Sequence, residues 1–300
     1  MSATVARDGA EGRYGRPVIK EPIWKPEIPF YFYSGGLAGA SAGLAALSEL
    51  RGNDVLARRA WAVALAGGAA SPALLIADLG VPARFANMLR IFKVSSPMSV
   101  GSWLLTAFGP LTAAATLNAW TGLAPRASTA AKAGAAALGL PVATYTAALI
   151  ANTAVPVWHE ARATLPAVFA AGAAASAGAA SMALTPPDDA GPARRLTVIG
   201  AASELTAVTI MERRLGELAR PYREGAAGTL GKLAKALTLA GGGMAATPAA
   251  RNRGGAVAAS ALVTGGAVLE RWSVFRAGHQ SAADPGAVIG PQRRRLHQRR

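Results

Sequence analysis

The 300-residue chain has no cysteine, only three histidines, and 16 acidic residues against 31 lysines and arginines. Without cysteine it offers no thiolate for an iron–sulfur cluster or a thiolate zinc site, and no disulfide. The histidines are His159, His279 and His297, and no two lie at helical spacing within one apolar run. A haem held between helices by paired histidines therefore finds no ligand set here. Aromatic residues are scarce, at 6%. Residues 1–28 are polar and charged, without the apolar stretch of a cleavable signal peptide. The first apolar run is expected to serve as the insertion signal.

What the chain has is apolar length. Hydrophobic residues make up 52% of it and charged residues 16%. Eight apolar segments are each about 20 residues long, the length that crosses a bilayer as a helix. They run over Pro29–Leu50, Ala60–Gly80, Ser99–Gly122, Ala131–Pro156, Thr164–Leu184, Leu196–Leu215, Thr229–Ala249 and Gly254–Trp272. Glu204 and Lys235 interrupt the sixth and seventh, and the two could pair across those spans. The expected fold is all-α, a polytopic membrane protein with eight transmembrane helices. Its parts are a polar N-terminal arm (1–28), a first four-helix bundle (29–156), a second (157–274) and a basic C-terminal tail (275–300).

The first span carries Gly35, Gly39 and Gly43, a spacing that lets helix backbones approach closely in lipid. No strand–turn–helix context surrounds these glycines, so they do not read as a nucleotide-binding loop. Basic residues are unevenly divided. The arm, the connectors after spans two, four and six, and the tail hold roughly 22 of them, the opposite connectors roughly 9. The excess of positive charge places both termini in the cytoplasm, and the membrane expected is the plasma (inner) membrane. The tail, with Arg293–Arg295 and Arg299–Arg300, suits anionic lipid better than nucleic acid; no nucleic-acid partner is expected.

The stretch Ile76–Trp103 holds the most information. Asp78 lies near the end of an apolar run, where an acid is a functional-site candidate by default, or reaches water at the bilayer edge. A basic connector follows, with Arg84, Phe85, Arg90, Phe92 and Lys93. It either docks a partner protein or lies on lipid as an amphipathic helix. Pro97 then opens the third span, where its missing N–H costs nothing.

Several motifs together resemble the NrfD/PsrC family, the polysulfide reductase-type quinone-reactive membrane subunits. They are Tyr31-Phe32-Tyr33-Ser34-Gly35-Gly36-Leu37-Ala38-Gly39, Asp78-Leu79-Gly80, Arg84-Phe85 and Ser96-Pro97-Met98-Ser99. Further ones are Tyr145-Thr146, Thr153–Trp158 and Glu270–Gly278 with Ser281-Ala282. The resemblance implies an eight-helix anchor without haem or cluster of its own, with menaquinone or ubiquinone as its substrate. It also implies a four-cluster ferredoxin-like iron–sulfur partner and a molybdopterin catalytic subunit, and so a non-autonomous part of a respiratory oxidoreductase.

Quinol oxidation releases two electrons and two protons, so a site needs donors at the quinone oxygens and titratable groups leading to water. Tyr145 and Asn152 are seven residues apart, within about 20° of one helix face, and can both hydrogen-bond a quinone. By resemblance Tyr145 matches a tyrosine that the family places at its quinone, and Trp24 and Glu27 fall in its quinone-contacting segment. Asp78, Glu27 and His159 are the expected proton carriers. Following the spans, Glu27, Asp78, Ser99, Ser102, Asn152 and His159 all fall toward one face of the first four helices. Two other functions remain open on the residues alone. One is a small-solute or ion transporter coupled through Asp78, Glu204 and Lys235, though no internal repeat supports it. The other is an anchor that docks a redox complex without touching quinone.

Overall fold

Alanine-, leucine- and glycine-rich runs become helices here because capping residues bound them. Asn53, Ser96 and Asn252 each accept a backbone N–H of the first turn that follows. Gly80 and Gly122 close helices in the left-handed conformation, with φ of 70° and 73°. The computed structural model describes residues 19–81 and 83–288. The start of the arm, the arginines of the tail and His297 lie outside the described residues. Among those described there is no strand.

The long helices are α1 (Glu27–Leu50), α2 (Asp54–Leu79), α3 (Pro97–Thr121), α4 (Pro125–Ala151), α5 (Leu165–Leu184), α6 (Gly191–Leu215), α7 (Gly225–Ala246) and α8 (Arg253–Ala283). They match the eight apolar segments one for one. Helices α2, α3, α4 and α5 are long and apolar enough to cross a membrane. The other four are long enough too, but charges in α6, α7 and α8 and the Gly, Ser and Tyr content of α1 lower their hydropathy.

Packing closes two rings. Helices α1, α2, α3 and α4 pack in sequence, with α4 returning to α1; α5, α6, α7 and α8 do the same, with α8 returning to α5. The rings join where α1 meets α5 and α8, and α5 meets α2 and α4. Helix ends alternate between two faces. We call the one that carries residues 19–26 the arm face and the other the far face.

Lipid gives no hydrophobic drive between helices, so close backbone packing and hydroxyl bridges hold these rings. Gly39 and Gly139 face each other at the α1–α4 crossing, where a Cβ on either would run into the other's carbonyl oxygen. A Cβ on Gly67 of α2 would lie 2.8 Å from Ser34 O of α1. Hydroxyls add cross-links: Ser34 to Ser71 at 2.8 Å, Thr116 to Trp61 O at 3.0 Å, Ser260 to Ala179 O at 2.7 Å and Ser273 to Ala227 O at 2.9 Å.

Two boundaries differ from expectation. Helix α4 stops at Ala151, not at Pro156, because Val155 before the proline is extended (φ −68°, ψ 119°) and Pro156 opens a new short helix, Pro156–Glu160. Helix α8 runs beyond Trp272 to Ala283, because no breaker intervenes and Val274, Phe275, Ala277, Gly278 and Ala282 are buried in turn.

The glycines differ in what they carry. Gly39→Val should destabilise the fold by about 1–3 kcal/mol or more through overpacking. At Gly43 nothing lies within 4 Å of an added Cβ, so Gly43→Ala should be neutral or stabilise by up to about 1 kcal/mol. Detergent-phase thermal melts of the two variants would check this; equal losses would remove the close approach at Gly39 as the reason.

Candidate functional site

At the arm face, the segment before α1 is held from two sides. The carboxylate of Asp78, at the end of α2, accepts the backbone N–H of Lys25 at 2.9 Å. Trp24 stacks on Trp158 at 5.5 Å with 27° between the rings. Trp158 is fully buried and donates its indole N–H to Val274 O of α8 at 2.8 Å. His279 lies edge-on to Trp158 at 6.2 Å and against Phe275 at 4.4 Å. One chain of contacts thus links the ends of α2, α4 and α8 to the residues that precede α1.

At the start of α1 the same face carries Glu27, with Tyr31 one turn further in. The rings of Tyr31 and Tyr145 meet edge-to-face at 6.3 Å, and the Tyr145 ring fills the space left by Gly101 of α3. Both Tyr145 Oη and Glu27 Oε2 are buried without a hydrogen-bond partner. Buried polar atoms are nearly always satisfied, so orphans mark a strained or ligand-facing site.

The structure therefore brings Trp24, Glu27, Asp78 and Tyr145 to one end of the first ring. Asn152 caps α4 at φ −87°, ψ 35°, its N–H still bonded to Ala148 O, and is exposed where Tyr145 is buried. His159 is exposed as well, while its neighbour Trp158 is buried. The histidine inside the aromatic stack is His279, missed in the sequence because span eight was ended at Trp272. A longer α8 would have shown it one turn after Phe275.

Next to this end lies the connector. Its short helix, Ala83–Met88, tucks Phe85 against the core. Arg84, Arg90 and Lys93 are exposed, and Ile91, Phe92 and Val94 expose 75%, 57% and 77% of their surface. Phe92 rests edge-on against Trp103, and Ser99 ties the connector to α3 by accepting Lys93 N–H and donating to Ile91 O, each at 3.1 Å.

The second ring holds charges. Glu204 of α6 and Glu270 and Arg271 of α8 are 2%, 4% and 2% exposed. Arg271 donates from Nη2 to Phe169 O at 3.1 Å and lies 4.0 Å over the Phe169 ring. Its Nε and Nη1, both Glu204 oxygens and Glu270 Oε1 have no hydrogen-bond partner. Gly172 makes room for Glu204 Oε1 and Arg271 Nη2, into both of which any side chain there would run. Glu204 and Lys235 do not pair: Lys235 reaches Glu212 at 2.6 Å, nearer the arm face. Its long stem lets the ammonium snorkel toward that face. Nearby, Tyr222 sits in the connector helix Arg220–Arg223. Burial first, then Glu270 and Glu212, push its phenol well above its ordinary value, so it stays protonated. The three residues that a coupled transporter would use, Asp78, Glu204 and Lys235, face three different sets of partners.

The model of a protein family described as polysulfide reductase, of NrfD type, matches residues 11–283. No curated protein matches the chain.

Removing one member of a buried charge cluster strands the others. Arg271→Met should destabilise the protein by about 3–5 kcal/mol, seen as lost monodisperse protein on gel filtration. Adding Glu204→Gln and Glu270→Gln should recover most of it. A triple variant no better than the single one would mean that Arg271 acts by shape alone.

Proposed function

The chain belongs to the NrfD-type polysulfide reductase family, and on that premise we propose that it is the membrane anchor and quinone-reactive subunit of a multi-subunit oxidoreductase. It exchanges electrons and protons between a membrane quinone, menaquinone or ubiquinone, and an iron–sulfur partner. The observation that carries this reading is the pair of orphaned buried polar atoms at the arm face, Tyr145 Oη and Glu27 Oε2, flanking the buried Tyr31. A quinone headgroup is apolar in its ring and polar at two opposite oxygens. A phenol donor and a carboxylate beside aromatic rings suit both requirements.

A quinol supplies two electrons and two protons when it is oxidised. Tyr145 holds one quinone oxygen by donating its O–H, and its ring is fixed by Tyr31 and Gly101. Glu27 accepts a proton at its free oxygen and stands at the water-facing end of α1. Trp24, stacked on Trp158, closes the apolar side. Asp78 holds this segment in place through Lys25 N–H. His279 and His159 lie further out at the same face and pass protons toward water. Asn152, exposed at the end of α4, meets the quinone only as it enters.

The iron–sulfur subunit must dock close to the quinone, at the arm face. The connector with Arg84, Arg90 and Lys93 and exposed Ile91, Phe92 and Val94 offers it a basic and apolar surface. The division of basic residues supports a cytoplasmic arm face. Of the roughly 22 on that side, Arg213, Arg214, Lys232, Lys235, Arg271 and Arg276 lie within long helices, and the excess stands without them. In this reading all eight long helices cross the plasma membrane.

Tyr145→Phe keeps the ring and removes the donor. The complex should assemble normally while quinol-linked turnover falls by about 10- to 100-fold; wild-type turnover across the pH range would end the quinone assignment of Tyr145. Orientation is tested apart from this. Single cysteines at Arg90 and Ala124, labelled from outside intact cells, should react at 124 and not at 90. The reverse pattern would overturn the cytoplasmic placement of the partner.

A further inference from the structure

On the far face, away from the proposed quinone site, a cavity of about 770 Å³ opens between the two rings. Helices α1, α4, α5 and α6 form its walls, and its floor is apolar: Leu44, Leu47, Leu140, Leu196 and Ile199 among small residues. It begins at the Gly39 crossing, near the middle of α1, and runs to the helix ends. There Arg51 and Arg195 line its mouth. Both arginines are exposed. Among the described residues neither guanidinium has a hydrogen-bond or ion-pair partner.

The polar groups around them are engaged elsewhere. Glu49 is bound by Lys132 at 2.8 Å and by the Trp61 indole at 3.1 Å. The Asn53 side chain donates to Asp189 O and accepts Leu56 N–H. Ser48 donates to Leu44 O. Two unpaired guanidinium groups thus stand over a long apolar trough. Guanidinium forks match phosphate oxygens in geometry and charge, and the trough matches acyl chains in polarity and in its run from the helix ends toward mid-membrane.

We propose that this groove is a specific site for an anionic phospholipid, its phosphate held by Arg51 and Arg195 and its acyl chains lying against α1, α4, α5 and α6. The lipid would fill the seam between the rings on the side where Gly43 leaves open space, and so stiffen their junction.

The test uses the full chain purified in detergent, with phosphatidylglycerol, phosphatidylcholine of the same acyl chains and inorganic phosphate as probes. Phosphatidylglycerol should raise the melting temperature by about 3 °C or more and co-purify in native mass spectra. Phosphatidylcholine and phosphate alone should do neither. Arg51→Gln with Arg195→Gln should abolish the preference without lowering lipid-free stability. Gly43→Leu, which fills the trough, should lose the bound lipid and keep quinol-linked turnover in the assembled complex. Equal shifts from both lipids, or a preference that survives in the double variant, would overturn the proposal. So would a shift from phosphate alone, which needs no acyl site. If Gly43→Leu abolished turnover while lipid stayed bound, the trough would belong to quinone instead.

Discussion

The fold depends on how closely α1 can lie against its neighbours. It touches α2, α4, α5 and α8, and with α5 it is one of the two helices that join the rings. In lipid this contact cannot come from apolar burial alone, since acyl chains are as apolar as leucine. It comes from backbones brought together where side chains are missing: Gly39 on Gly139, Gly67 under Ser34 O, Gly36 against Ala173. Tyr31 and Glu27 then fall at the arm end of the same helix, so the crossing that joins the rings also sets where the site residues stand.

The two rings spend polarity differently. In the first, polar groups gather at one end, within reach of water. In the second, Glu204, Glu270 and Arg271 are enclosed, with Gly172 cut back to admit them. The guanidinium has a carbonyl and a ring face as direct contacts, with the Glu204 carboxylate beside it at Gly172 but not hydrogen-bonded to it. Such an arrangement is costly in a membrane interior and is retained where the charges have work to do.

Much of this was legible in the chain. Runs of apolar residues have one natural reading, and all eight became helices, because length and caps act locally. Family motifs placed Trp24, Glu27 and Tyr145 at one end. What the sequence hid was set by rotation and by helix ends. Asn152 shares a heptad with Tyr145, yet the helix stops one residue short of it. Lys235 and Glu204 sit at the middle of adjacent helices, yet a flexible stem carries the ammonium to Glu212. His279 was invisible because hydropathy fell at Arg271 while the helix continued. Hydropathy reports what can be buried in lipid, and α8 ends its apolar run well before it ends its hydrogen bonding.

The stack of Trp24 on Trp158 has a consequence in time. Trp24 is among the first residues of the described chain to leave the ribosome, whereas Val274, which receives the Trp158 indole, and Gly278, which makes room for its ring, belong to the last helix. The platform is therefore complete only after α8 has been made and packed. A nascent or prematurely terminated chain has its first ring but no finished seat for the segment before α1. Assembly of the arm face thus reports that α8 is in place.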